Sequence, residues 1–128
     1  MNLGEFNSLV DLFFYKAERE SSNTAFLEWL NPKNKKKYTW GETSTIIQKL
    51  AKVLKNNLSE GDRCLLVSEN RPEWLIADLA IMLADGITVP AYTTYTEKDY
   101  KYLVEDCEPS VIIAVSYTHL TLPTKRIV

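Results

Sequence analysis

The sequence is poor in the residues that build metal sites, disulfide frameworks and phosphate-binding loops. Its 128 residues include two cysteines, one histidine and four glycines. Cys64 and Cys107 lie far apart, and neither has a second Cys or a His at the spacing of a zinc site, which excludes structural zinc and argues against a disulfide framework. The patterns G-x-G-x-x-G and G-x-x-x-x-G-K-[ST] are both missing. We therefore expect no complete nucleotide site within these residues.

Positive charge and long apolar runs are also scarce. Fifteen Lys+Arg against 17 Asp+Glu leave a net charge of -2, so the composition provides no basic surface for a nucleic-acid backbone. The most apolar run, Trp74 to Ala84, is interrupted only by Asp78 and is too short for a bilayer, which needs roughly 20 such residues. The first residues do not resemble a signal peptide. We expect a cytoplasmic, reduced protein without nucleic acid as a partner.

The first part of the sequence predicts a helix, a hairpin and a second helix. Apolar residues recur at three- and four-residue steps from Phe6 to Ala17, as an amphipathic helix requires. Thr24 to Leu30 and Lys36 to Trp40 are typical of short strands joined by a turn. Thr39 and Glu42 have the spacing of a capping box and predict the start of the second helix. Its expected buried stripe is Thr43, Ile46, Ile47, Leu50, Leu54 and Leu58.

The remainder alternates between strands and helices. Strands are predicted at Arg63 to Val67, Ile87 to Ala91 and Val111 to Val115, and continuous apolar strands in this arrangement indicate a parallel sheet with helices on its faces. The helix from Asn70 to Asp85 is expected to have Asn70 as N-cap and Gly86 as its C-terminal stop. Because this helix is apolar on every side, it must be covered on every side. The fold class is therefore α/β: a helix and a β-hairpin, then a βαβαβ unit whose last helix is capped by Thr96 and Asp99.

Ligand-binding residues of an open α/β sheet are expected at the carboxyl ends of its strands. In the first such turn Asn70, Arg71 and Glu73 are polar, but helix capping and a local ion pair account for them. In the second, Thr93, Thr94 and Thr96 could offer hydroxyls to a phosphate, although Thr96 already serves as a cap. A cluster of positive charge in the hairpin turn is explained by solvation. It consists of Lys33, Lys35, Lys36 and Lys37.

Acid/base chemistry has no clear candidates. The only histidine, His119, lies in a segment without helical or strand periodicity, so a Ser/His/Asp arrangement cannot be derived. Asp78 stands within the apolar helix, where an unpaired buried carboxylate is strongly disfavoured. We expect a structural partner for it rather than catalysis. The predicted set of catalytic, cofactor-binding and metal-binding residues is therefore empty.

Four blocks of the sequence resemble a known family in their order and spacing. From about Phe6 to Val115, this chain is similar to the amino-terminal portion of the long-chain fatty acyl-CoA synthetases. These enzymes are AMP-forming, adenylate-forming ligases. The Glu-Asn-Arg-Pro-Glu-Trp block is more typical of the long-chain branch than of the short-chain or luciferase branches. The four blocks are Tyr38–Glu42, Gly61–Arg63, Ser68–Trp74 and Gly86–Tyr92.

This resemblance implies a function that the chain itself could not complete. The family uses ATP, Mg2+ and coenzyme A to convert a fatty acid to an acyl-adenylate and then to acyl-CoA, and its members are at most peripheral to the inner membrane face. Its phosphate loop, its ribose-binding Asp and its catalytic Lys match no position here. The resemblance thus implies a fragment of the AMP-binding domain, inactive alone and bound to the remainder of its own chain, with no cofactor held by these residues.

The end of the sequence departs from the family. Residues 1–115 correspond to the family domain, whereas residues 116–128 match nothing expected there and resemble a translated sequencing adapter. We therefore expect that tail to be artefactual. The alternative left open is a self-standing flavodoxin- or receiver-like binding module, although Glu69 and Pro72 stand where a flavin module would need a hydroxyl-rich phosphate loop.

Overall fold

The computed structural model describes residues 3–31 and 33–115. Within them, a helix and a hairpin precede a parallel sheet that has helices on both faces, which confirms the predicted α/β architecture. A single 3-10 turn, Leu3–Glu5, comes first. The other elements are α1 (Leu9–Arg19), β1 (Ala25–Asn31), β2 (Asn34–Thr39), α2 (Trp40–Lys55), β3 (Arg63–Val67), α3 (Pro72–Leu83), β4 (Ile87–Ala91), α4 (Glu97–Cys107) and β5 (Val111–Ala114).

The sheet has β3 in its centre and parallel partners on both sides, in the order β4-β3-β5. Strands β3 and β4 have the predicted bounds, and β5 ends one residue early. Val115 nevertheless still donates its backbone N–H to the Val67 carbonyl at 3.0 Å. Pro90 lies on β4, an outer strand of this sheet, where the loss of one ladder donor is tolerated.

The two faces of the sheet carry separate apolar cores. Cys64 and Leu66 belong to the larger core, which includes residues of α1, α2 and α3. Leu65 and Val67 point to the other face and pack with Tyr100 of α4. Strand side chains alternate between faces, so β3, which is buried on both faces from Cys64 to Val67, is apolar over those residues. The core residues Leu65, Leu66 and Val67 have no exposed surface.

The buried face of α2 differs slightly from the predicted stripe. Thr43, Ile47 and Leu54 are fully buried, but Ile46 is 37% exposed and Ala51 is buried in its place. A helix with 3.6 residues per turn carries Ala51, four residues after Ile47, on the covered side, and Ile46 falls at its edge. The capping box at the start of α2 is confirmed by reciprocal hydrogen bonds between Thr39 and Glu42, both 3.1 Å.

Helix α3 begins and ends differently from the sequence prediction. Asn70 is not the N-cap: that position is Arg71, whose side chain makes no capping bond, and Pro72 is the first helical residue. At the other end the left-handed residue is Asp85, with φ 64°, and not Gly86. The Gly86 N–H bonds the Ile81 carbonyl at 2.9 Å, as in a Schellman motif.

Gly86 is required by packing rather than by backbone conformation. A Cβ at this position would lie 3.1 Å from Ile81 Cγ2 and 3.1 Å from Leu58 Cδ1. The glycine therefore allows the turn after α3 to approach the residues that follow α2.

The amino-terminal elements pack on the same core. Helix α1 begins at Leu9 rather than Phe6 because Ser8 caps it, accepting a hydrogen bond from the Asp11 amide at 3.1 Å. Its buried Phe13 contacts the aromatic rings of Phe26 and Trp40 at centroid distances of 5.3 Å and 5.7 Å. Strands β1 and β2 are antiparallel, as predicted. No helix in the described residues is long and apolar enough to cross a membrane.

Candidate functional site

The carboxyl edge of the parallel sheet is the place where an open α/β fold binds ligands. Two loops form this edge, one from Ser68 to Arg71 before α3 and one from Tyr92 to Tyr95 before α4. Ser68 is buried, and its hydroxyl donates to the Glu69 carbonyl at 2.8 Å. The Ser68 side chain thus holds the backbone of the first loop.

Arg71 is the charged residue most enclosed at this edge. Its side chain is only 10% exposed and forms ion pairs with Glu69, at 3.6 Å, and with Glu73. The guanidinium carbon also lies 4.6 Å from the ring centroid of Trp29 on β1. Arginine can stack on an aromatic ring and bond carboxylates at the same time, since its charge is spread over a plane. The expected local ion pair is confirmed, and it ties the hairpin to the sheet.

Glu73 is the more buried of the two carboxylates that pair with Arg71. Its side chain is 19% exposed, and its Oε2 atom is buried without a hydrogen-bond partner among the described residues. Tyr38 of β2 lies beside it. Burial, reinforced by the neighbouring Glu73 carboxylate, raises the pKa of Tyr38 above its usual value. The Tyr38 phenol therefore keeps its proton at neutral pH and is not a candidate base.

The second loop leads into the capping box that starts α4. The Thr96 hydroxyl accepts from the Asp99 amide at 3.2 Å, while the Asp99 carboxylate accepts from the Thr96 amide at 3.0 Å. These hydrogen bonds hold the pKa of Asp99 below its usual value. The Tyr100 hydroxyl donates to the Tyr92 carbonyl. Two exposed threonines remain at the loop, Thr93 and Thr94.

The other residues singled out from the sequence do not join this site. Asp78 is only half-buried and makes no ion pair or side-chain hydrogen bond in the described ranges. The prediction that it has a structural partner is therefore wrong. Partial solvation of the carboxylate removes the need for one. His119 lies outside the described residues. Cys64 is fully buried, and burial raises the pKa of its thiol to about 12. A search of the described part of the chain finds no group of three His, Cys, Asp or Glu able to hold a metal.

This arrangement can bind a ligand or support neighbouring structure. Within residues 3–31 and 33–115, however, it does not hold a nucleophile against a base. Its two most enclosed charged groups, the Glu73 carboxylate and the Arg71 guanidinium, neutralise each other. The sequence identified both residues but missed Trp29 and Tyr38. The missing signal was the two-residue period of the hairpin, which places Leu27 and Trp29 on one face of β1 and pairs Leu27 with Tyr38.

Three comparisons with known proteins agree on one family. A family model described as "AMP-binding enzyme" matches residues 13–127. The human mitochondrial acyl-coenzyme A synthetase ACSM3 is 31% identical over 102 residues, which is 77% of this chain and 17% of the relative. The long-chain-fatty-acid–CoA ligase of Bacillus subtilis is 36% identical over 81 residues, 62% of this chain and 14% of the relative.

Among solved structures, the N-terminal subdomain of NpsA from Klebsiella oxytoca has a TM-score of 0.78 at 23% identity. The match covers 96% of this chain and 31% of that subdomain structure, so it demonstrates the fold. The chain spans less than a fifth of the length of the curated relatives named above.

Proposed function

Because the chain belongs to the AMP-binding enzyme family, whose adenylate-forming members include its acyl-CoA synthetase relatives, we propose that it is the amino-terminal part of a long-chain fatty acid–CoA ligase. The whole enzyme would activate a fatty acid with ATP and Mg2+ and pass the acyl group to coenzyme A. In this proposal the enzyme is cytoplasmic, and the present residues build its scaffold and are inactive alone.

The observation that carries the scaffold proposal is the internal pairing at the carboxyl edge. Arg71 is neutralised by Glu69 and Glu73, and Thr96 and Asp99 cap each other. A phosphate group needs donors that are free to turn toward it. Thr93 and Thr94 keep exposed hydroxyls at this edge, but the charged groups there are already paired. We therefore propose that these residues bind neither ATP nor Mg2+, and we assign no chemical step to any of them.

Two observations support the long-chain assignment. The Glu-Asn-Arg-Pro-Glu-Trp block, residues 69–74, which is more typical of the long-chain branch, contains Arg71 and Glu73 of the enclosed cluster. The Bacillus subtilis relative, a long-chain-fatty-acid–CoA ligase by name, is more identical over its match than the human relative. No contact in the described residues favours the flavodoxin- or receiver-like alternative.

Fatty-acid-dependent exchange between ATP and pyrophosphate tests the inactivity of the chain. We expect the purified chain to show no exchange above background with acetate, octanoate or palmitate. A full-length ligase assayed beside it checks the reagents. Exchange that depends on a fatty acid and rises in proportion to the amount of chain would contradict the scaffold proposal.

The division of the chain is a separate proposal: residues 1–115 are the family portion and residues 116–128 are a foreign tail. The family model extends to residue 127, so the division needs its own test. We expect the source genome to diverge from the tail after the codon for Val115 and to continue into a Ser/Thr/Gly-rich loop ending in Lys. An identical tail in the genome would contradict it. The enzyme encoded by that longer frame should prefer palmitate to acetate; the opposite preference would refute the long-chain assignment.

A further inference from the structure

We draw no further inference here: the strongest candidate, the surface patch at the carboxyl edge where the exposed rings of Tyr92 and Tyr102 lie beside Tyr95, is an unpartnered face, and nothing in the described part of the chain shows what covers it.

Discussion

Replacing Arg71 by alanine should destabilise the protein more than any other single charge removal at the carboxyl edge. The substitution leaves Glu73 without its cation, although the Glu73 side chain is only 19% exposed and one of its oxygens already lacks a partner. Removing one member of a buried ion pair costs about 3–5 kcal/mol, and residual solvation of Glu73 relieves part of this. Loss of the contact with Trp29 adds about 0.5–2 kcal/mol. We expect a net loss of about 2–4 kcal/mol in the free energy of unfolding.

Urea unfolding followed by tryptophan fluorescence measures this loss. Arg19→Ala is the matched control, because Arg19 also stacks on an aromatic ring, that of Tyr15, but is exposed. It should cost less than about 1 kcal/mol. In the double variant Arg71→Ala/Glu73→Gln the orphaned charge is absent, and we expect at least about 1 kcal/mol to be recovered relative to additivity. An Arg71→Ala effect no larger than that of Arg19→Ala would refute the reasoning.

Three further predictions concern single residues. Asp85→Gly should raise the free energy of unfolding by up to about 1 kcal/mol in the same urea assay, because Asp85 has a positive φ that glycine adopts freely; destabilisation would contradict this. Hydrogen bonds from the Ser59 amide and the Ser110 hydroxyl hold the pKa of Asp62 below its usual value. The Asp62 carboxylate therefore stabilises the fold at pH values above the pKa that Asp62 has in the unfolded chain. This stabilisation disappears as the pH falls through the lower pKa that Asp62 has in the folded protein. Ser110→Ala should move the NMR-measured pKa of Asp62 upward, and an unchanged pKa would count against the bond. Cys64 is fully buried and its pKa is raised to about 12, so a thiol reagent at neutral pH should leave it unlabelled in the native protein and label it only after unfolding.

The elements that could be predicted from the sequence are those fixed by local chemistry. The capping box of Thr39 and Glu42 requires only four consecutive residues, and both partners bond as expected. The strand from Arg63 to Val67 has a continuous apolar run from Cys64 that is buried on two faces, and this run made the strand recognisable in the sequence. Both signals can be read from adjacent residues without knowing how the elements pack.

The wrong predictions concern positions whose structure is determined by tertiary contacts. Asn70 has the chemistry of an N-cap, but Arg71 occupies that position because its side chain is drawn to Trp29 and the carboxylates on either side. Gly86 is needed for close packing, while Asp85 takes the left-handed position. Asp78 looked buried only because its neighbours are apolar. Sequence periodicity does not report which side of α3 other elements cover.

The candidate site was predictable in position but not in composition. The turns after β3 and β4 follow from the parallel sheet, and Arg71 and Glu73 were recognised in the first of them. Trp29 and Tyr38 come from the hairpin, more than 30 residues earlier in the chain. Alternation along the hairpin places both residues on its inner face, but which part of the protein that face meets depends on tertiary packing.

Equilibrium dialysis of ATP with Mg2+ against the purified chain tests the scaffold account most directly, because binding must precede any chemistry. With the charged side chains Arg71, Glu69 and Glu73 of the carboxyl edge engaged by one another, we expect no retained nucleotide at millimolar concentration. Stoichiometric ATP binding that palmitoyl-adenylate displaces would contradict the account.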